Sequence, residues 1–123
     1  MFLVPTYLAQ SRIHGLGVFT PVAIPAGTVV WDLSPEIDWA IPPEALAQFP
    51  EPFRTRIRHY CYLNVDGVYM FCGDNGKFMN HENAPNCFED DTRTIAARDI
   101  AAGEELTCDY RAFEHEPQPH DLG

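Results

Sequence analysis

The extended runs of this chain are short and are cut by glycine and proline, a pattern that points to a body of several small sheets rather than one large one. Residues 2–4 and 7–10 read as strand, residues 18–20 follow a Gly15-Leu16-Gly17 turn, and residues 28–32 are β-branched and aromatic. Asp66-Gly67, between Tyr62-Leu63-Asn64-Val65 and Val68-Tyr69-Met70-Phe71, predicts a tight hairpin, because both residue types accept positive φ. Residues 92–97 and 105–110 read as further strands, the last ending on Tyr110.

Helix fits only the middle of the chain. Pro43 precedes Glu44-Ala45-Leu46-Ala47-Gln48-Phe49, and residues 51–62 after Pro50 place Phe53, Ile57 and Tyr60 at helical spacing. An internal echo also stands out. Ile24-Pro25-Ala26-Gly27 precedes Thr28-Val29-Val30, and Ile100-Ala101-Ala102-Gly103 precedes Glu104-Glu105-Leu106, so both segments read as one turn with glycine at a strand corner.

At 123 residues, 46% of them hydrophobic, the chain is one domain able to bury a core without staples. Its net charge of −10 argues against a nucleic-acid partner and favours a basic protein or cationic ligand. The acid is concentrated late, where Glu82, Glu89, Asp90, Asp91, Asp99, Glu104, Glu105 and Asp109 face Arg93, Arg98 and Arg111, and it is expected on the solvated surface. Cys61, Cys72, Cys87 and Cys108 show neither C-x-x-C pairing nor metal-like grouping with histidine, so they are expected as buried thiols. No apolar run reaches the roughly 20 residues that span a bilayer. The N-terminus lacks a secretion signal, so an intracellular protein without membrane association is expected.

Two late segments carry the chemistry. Asn80-His81-Glu82-Asn83-Ala84-Pro85-Asn86-Cys87 is a polar loop with buried character, and Gly103-Glu104-Glu105-Leu106-Thr107-Cys108-Asp109-Tyr110 is a strand with a phenol at its end. With Gly15-Leu16-Gly17-Val18-Phe19 and the glycine-rich approach Gly73-Asp74-Asn75-Gly76-Lys77-Phe78-Met79, they resemble, in order, the motifs of the SET domain, the fold of S-adenosylmethionine-dependent protein lysine methyltransferases. The match runs from about Gly15 to Phe113. G-x-G alone is a weak signal; N-H-x-x-x-P-N and G-E-E-L-T-x-D-Y at this spacing are strong together.

The resemblance implies a mainly β, β-clip-like fold: a SET domain over residues 1–113 with a helical insert at about 33–62, a C-terminal segment threaded under the loop at Asn80 to Asn86, and a short polar tail at 114–123. It implies S-adenosylmethionine as cofactor, contacted by Gly15, Leu16 and Gly17 through backbone, by Asn80 through its side chain and by His81 largely through backbone. Tyr110 takes the catalytic position. With a phenol pKa near 10 it is a poor base at neutral pH, so its role is positioning and electrostatics. Cys108 and Phe113 fall on the lysine channel, and Asn86 is expected to brace the threaded loop.

This chain departs from the family pattern at informative places. Many relatives bind zinc through a cysteine two residues after the histidine and a cysteine cluster after the tyrosine; here the first position is Asn83, and no cysteine follows Cys108. No bound metal is expected, and Phe113 or a partner, a second copy of the chain among the candidates, must close the site. Cys108 stands where relatives often carry Phe or Tyr, Glu82 replaces a common serine, and Lys77, the only lysine, replaces a frequent arginine. The leading expectation is methyl transfer to lysine on a protein or peptide, histone-like or otherwise basic. The alternative is an inactive SET module that binds a protein partner.

Overall fold

The computed structural model, which describes residues 1–64 and 66–112, contains three small sheets, the first two of which share one apolar centre. The first sheet runs β1 (Tyr7–Gln10), β2 (Leu16–Phe19), β10 (Glu105–Cys108), β7 (Asn80–His81). The second is β3 (Val29–Asp32), β9 (Arg93–Ala96), β8 (Cys87–Asp90). The third is β4 (Trp39–Ile41), β6 (Tyr69–Phe71), β5 (Cys61–Leu63); β4, α1 (Pro43–Leu46) and α2 (Phe53–Tyr60) fall within the expected insert at about 33–62, whereas β6 lies beyond it. Val18, Ile24, Val30, Cys87, Ile100 and Leu106 are buried almost completely and hold the first two sheets together by exclusion of water.

The repeated Ile-x-Ala-Gly segments are structurally equivalent. In both, the residue after glycine donates its N–H back three positions, Thr28 to Pro25 O at 3.2 Å and Glu104 to Ala101 O at 3.1 Å. Gly27 and Gly103 sit at φ +86° and +89°, the conformation a type II turn demands at its third residue. Ile24 and Ile100 then pair with each other, each N–H donating to the other's carbonyl at 2.8 Å. The two corners are thus one bent hairpin motif used twice, back to back in the core.

Several local expectations shift. Residues 2–4 form only a bridge from Phe2 to Trp31. The hairpin at Asp66-Gly67 is wider than a two-residue turn: its strands end at Leu63 and Tyr69, and it closes through Asn64 N–H to Val68 O at 2.9 Å. Helix α2 stops at Tyr60 because residues 61–63 are taken by pairing with β6. Tyr110 opens a 3-10 turn, Tyr110–Ala112, just past the strand end.

Strand β10 is the centre of the site. It pairs antiparallel with β2 through Glu105 and Leu106, then parallel with β7 through Thr107 and Cys108. Short parallel pairing of this kind requires that the connecting chain, residues 82–104, travel around the body before returning.

Candidate active site

Asn86 grips β10 from the side away from β7. Its Nδ2 donates to Glu105 O at 2.8 Å, its Oδ1 accepts the Thr107 N–H at 2.9 Å, and its own N–H donates to Thr107 Oγ1 at 3.1 Å. Both residues are buried, so the amide substitutes for the ladder partner that β10 would otherwise lack. On the other side Glu82 N–H donates to Cys108 O at 3.0 Å. The segment 80–86 therefore holds 105–108 from two directions, as the threaded arrangement requires.

His81 sets the position of Tyr110. Its Nδ1 accepts the Tyr110 N–H at 3.1 Å and its Nε2 lies 3.1 Å from Asn83 Oδ1. With Nδ1 accepting, Nε2 is the ring nitrogen that faces the Asn83 amide oxygen as donor. Asp109 Oδ1, 3.5 Å from Nδ1, is held by the N–H and Nε of Arg111, and the Arg111 guanidinium keeps the Asp109 carboxyl below its usual range.

Asn80 is buried and braces the glycine loop. Its Nδ2 faces His14 O at 3.0 Å, Leu16 O at 3.2 Å and Glu105 Oε2 at 2.9 Å, which leaves Oδ1 as its available ligand atom among the described residues. Glu105 also accepts Ser11 Oγ–H at 2.8 Å. Gly17 explains how the carboxylate fits: a Cβ there would stand 2.3 Å from Glu105 Oε2. Gly15 differs. It adopts φ +45°, and no atom lies within 4 Å of where its Cβ would be, so it borders open space.

That space is one of two cavities that meet at Tyr110. The first, about 170 Å³, is lined by Gly15, Leu16, Asn80, Lys77, Phe78 and Tyr110. The second, about 180 Å³, lies on the opposite side, with Trp31, Tyr62, Cys72, Glu89, Cys108 and Tyr110 in its wall. Tyr60, His59 and Lys77 also border both. The Tyr110 hydroxyl donates to Met79 O, which fixes the phenol at this junction. Burial pushes the Cys72 thiol up to about 12 and the Cys108 thiol well above its ordinary value, so neither is a thiolate nucleophile at neutral pH.

Glu89 is the exception to the expected solvated acid. It faces the second cavity, Thr94 Oγ1 donates to its carboxylate at 2.9 and 3.0 Å, and desolvation pushes its carboxyl up to about 7. The neighbouring acids behave as expected: Asp90, Glu104 and Asp109 pair at the surface with Arg93, Arg98 and Arg111.

Against known proteins, the SET-domain family model matches residues 15–111. The chain belongs to the SET-domain family. It is 30% identical over 128 residues to human histone-lysine N-methyltransferase 2D, across 94% of this chain and 2% of that protein. It is 29% identical over 126 residues to histone-lysine N-methyltransferase ATX2 of Arabidopsis thaliana, across 85% of this chain and 11% of that protein. The chain thus spans a small part of the length of these relatives. A crystal structure of a Plasmodium falciparum protein assigned as a histone methyltransferase superimposes with TM-score 0.63 at 19% identity, covering 92% of this chain and 96% of that one, a likeness of fold.

Within this SET domain, Gly15, Leu16, Asn80 and Tyr110 border one cavity and Cys108 joins Tyr110 in the other. Gly17 lies against the Glu105 carboxylate and His81 bonds the Tyr110 backbone; neither is in the lining of these two cavities. Phe113 and the tail lie outside the described residues. Asn83, at the zinc-cysteine position, instead joins His81 to Arg111, whose Nη2 is 3.4 Å from Asn83 Oδ1. Sequence reasoning missed Glu105, Lys77, Tyr60 and Glu89 as site residues. Lys77 and Glu105 carried a signal, their places in the glycine-rich and G-E-E-L-T-x-D-Y motifs, although not their partners; Tyr60 and Glu89 come to the site through pairing over long chain separations.

Proposed function

We propose that this SET domain transfers methyl groups from S-adenosylmethionine, the methyl donor generally used by the family, to the side-chain amine of lysine in a protein substrate. The observation that carries this is the position of Tyr110 in the shared wall of two cavities, one lined by Gly15, Leu16 and Asn80, the other with Trp31, Tyr62 and Cys72 in its wall.

The first cavity fits the cofactor. Gly15 opens onto it where any side chain would intrude, Asn80 Oδ1 would accept from the donor's amino group, and Lys77 Nζ would meet its carboxylate. When bound, the donor supplies an electrophilic methyl on a sulfonium. Everything else falls to the chain. The second cavity would strip water from the lysine, whose free pKa is about 10.4, and favour its neutral form. Tyr110 would hold the amine in line, where alignment supplies much of the rate enhancement. Its role is positioning, and His81 contributes by fixing the Tyr110 backbone. The net negative charge favours basic substrates, histone-like proteins among them.

The test is calorimetry with S-adenosylmethionine followed by transfer of labelled methyl to basic protein extracts. Binding together with label on lysine is expected. No binding at millimolar cofactor would overturn the proposal, and binding without transfer to any extract would favour the alternative of a protein-interaction module.

A further inference from the structure

We propose that Glu89 captures the substrate lysine as an ammonium when it enters the cavity beside Tyr110, before the cationic sulfonium of the bound donor favours loss of its proton, and so sets that cavity's preference for a cationic side chain; this rests on the lysine-methyltransferase reading above. Strand β8 carries the first observation. Its side chains alternate about the sheet, with Cys87 fully buried and Phe88 47% exposed, so Glu89 points inward with Cys87 while the phenyl ring faces solvent. Burial of apolar surface alone would favour the opposite arrangement, and a slip by one residue would produce it. The register is held against that slip by Cys87 opposite Ala96 and Glu89 opposite Thr94, and by the Asn86 bonds to β10.

The second observation is the company Glu89 keeps. Thr94 Oγ1 orients the carboxylate, but a carboxylate has about four acceptor sites and one hydroxyl cannot fill them. Among the described residues no cation pairs with it. Lys77, the cation in the same cavity wall, is turned away: its Nζ donates to Asp74 O at 2.9 Å and lies 5.5 and 5.3 Å from the ring centres of Phe71 and Phe78. A half-buried charge without a cation beside it is costly, and the raised carboxyl pKa reflects that cost. An arriving cation relieves it.

The cavity specifies which cation. No group of three metal-ligating side chains is present among the described residues. Trp31, Tyr62 and Cys72 offer an apolar wall to a chain of methylenes, with Tyr110 at the junction and two carboxylates in the lining, Asp91 exposed to solvent and Glu89 turned inward. An alkylammonium fits this combination. Because a methylated amine remains cationic, the same carboxylate would retain the substrate between successive transfers.

The probe is n-butylammonium, titrated at pH 8 into wild type and Glu89→Gln, read by calorimetry and by side-chain carboxyl carbon resonances, with neutral n-pentanol as the control for an intact cavity. We expect butylammonium to move the Glu89 resonance and lower its titration midpoint. Glu89→Gln should weaken butylammonium about tenfold or more while pentanol binding is unchanged. Equal butylammonium binding to both proteins, or an unmoved Glu89 resonance, overturns the proposal. Glu89-dependent ammonium binding without methyl transfer to any lysine peptide would uphold the ammonium site and remove the transfer reading. Methyl transfer with the same KM for peptide in both proteins would do the reverse.

Discussion

The segment 80–86 and the wall built by residues 31–63 meet at Tyr110, yet different forces hold them. The first is directional: Asn80 and Asn86 are 6% and 5% exposed, and their amides reach backbone 19 to 66 residues away. The second is not. Helix α2 buries no residue completely, Trp39 is 62% exposed and Phe53 48%, and the β4-β6-β5 sheet is three residues wide at each pairing. On the proposed reading, the clamp would define where the reacting groups stand, while the wall would define what can be brought to them. A polar clamp tolerates little change, because each broken bond leaves a buried group unsatisfied. An apolar wall tolerates substitution and can be reshaped for a new partner.

The contrast predicts a graded response. Asn86→Ala should be the most damaging change, stranding Glu105 O and the Thr107 N–H in the interior at a cost of about 4 kcal/mol, read by urea unfolding. A cost under about 1 kcal/mol would break the distinction between clamp and wall. Gly17→Ala places a methyl group against the Glu105 carboxylate, which can swing aside by giving up its bonds to Ser11 and Asn80, and should cost about 1–2 kcal/mol. It should also loosen Asn80, which shares that carboxylate, and weaken cofactor binding in calorimetry.

Glu89→Gln should have the opposite sign. Desolvation raises the carboxyl from 4.5 to about 7 in the folded protein, so the native state binds this proton more tightly than the unfolded chain. The destabilising effect is therefore absent below the lower value, grows as pH rises between the two, and is complete above about 7. The variant should gain about 1–2 kcal/mol at pH 8, with the gain vanishing near pH 4 in thermal unfolding followed across pH. A gain that does not vary with pH would assign it to packing instead. Smallest is Trp39→Ser, which should cost less than about 1 kcal/mol, because the indole is mostly in water and its one ring contact, with Phe71, is tilted at 6.2 Å. A loss of substrate affinity in this variant without loss of stability would mark the wall as a recognition surface.

The same division governs what could be read from the sequence. The clamp was legible because its parts are contiguous: Asn80, His81 and Asn86 stand in one stretch and Tyr110 in another, and each makes a specific bond that only its residue type can make. The doubled corner was legible from Ile24 to Gly27 and Ile100 to Gly103, since only glycine tolerates the φ its turn needs. Glu89 was not. In sequence it stands with Asp90 and Asp91 and reads as solvated acid, and its inward placement follows from a strand register set by Asn86 on one side and Thr94 on the other. The partners of Glu105 were hidden in the same way, because Gly17 and Ser11 stand far along the chain. The wide turn at Asp66-Gly67 shows the converse limit, a local signal whose width was decided by the pairing of β5 with β6.

The measurement closest to the central claim compares wild type with Tyr110→Phe, scoring cofactor affinity by calorimetry and methyl transfer to a lysine peptide by mass spectrometry. If Tyr110 aligns the amine at the junction of the two cavities, the variant should keep its cofactor affinity within about twofold and lose about a hundredfold or more in transfer rate, the scale of one positioned electrostatic contact. Transfer at the wild-type rate in Tyr110→Phe would contradict the account.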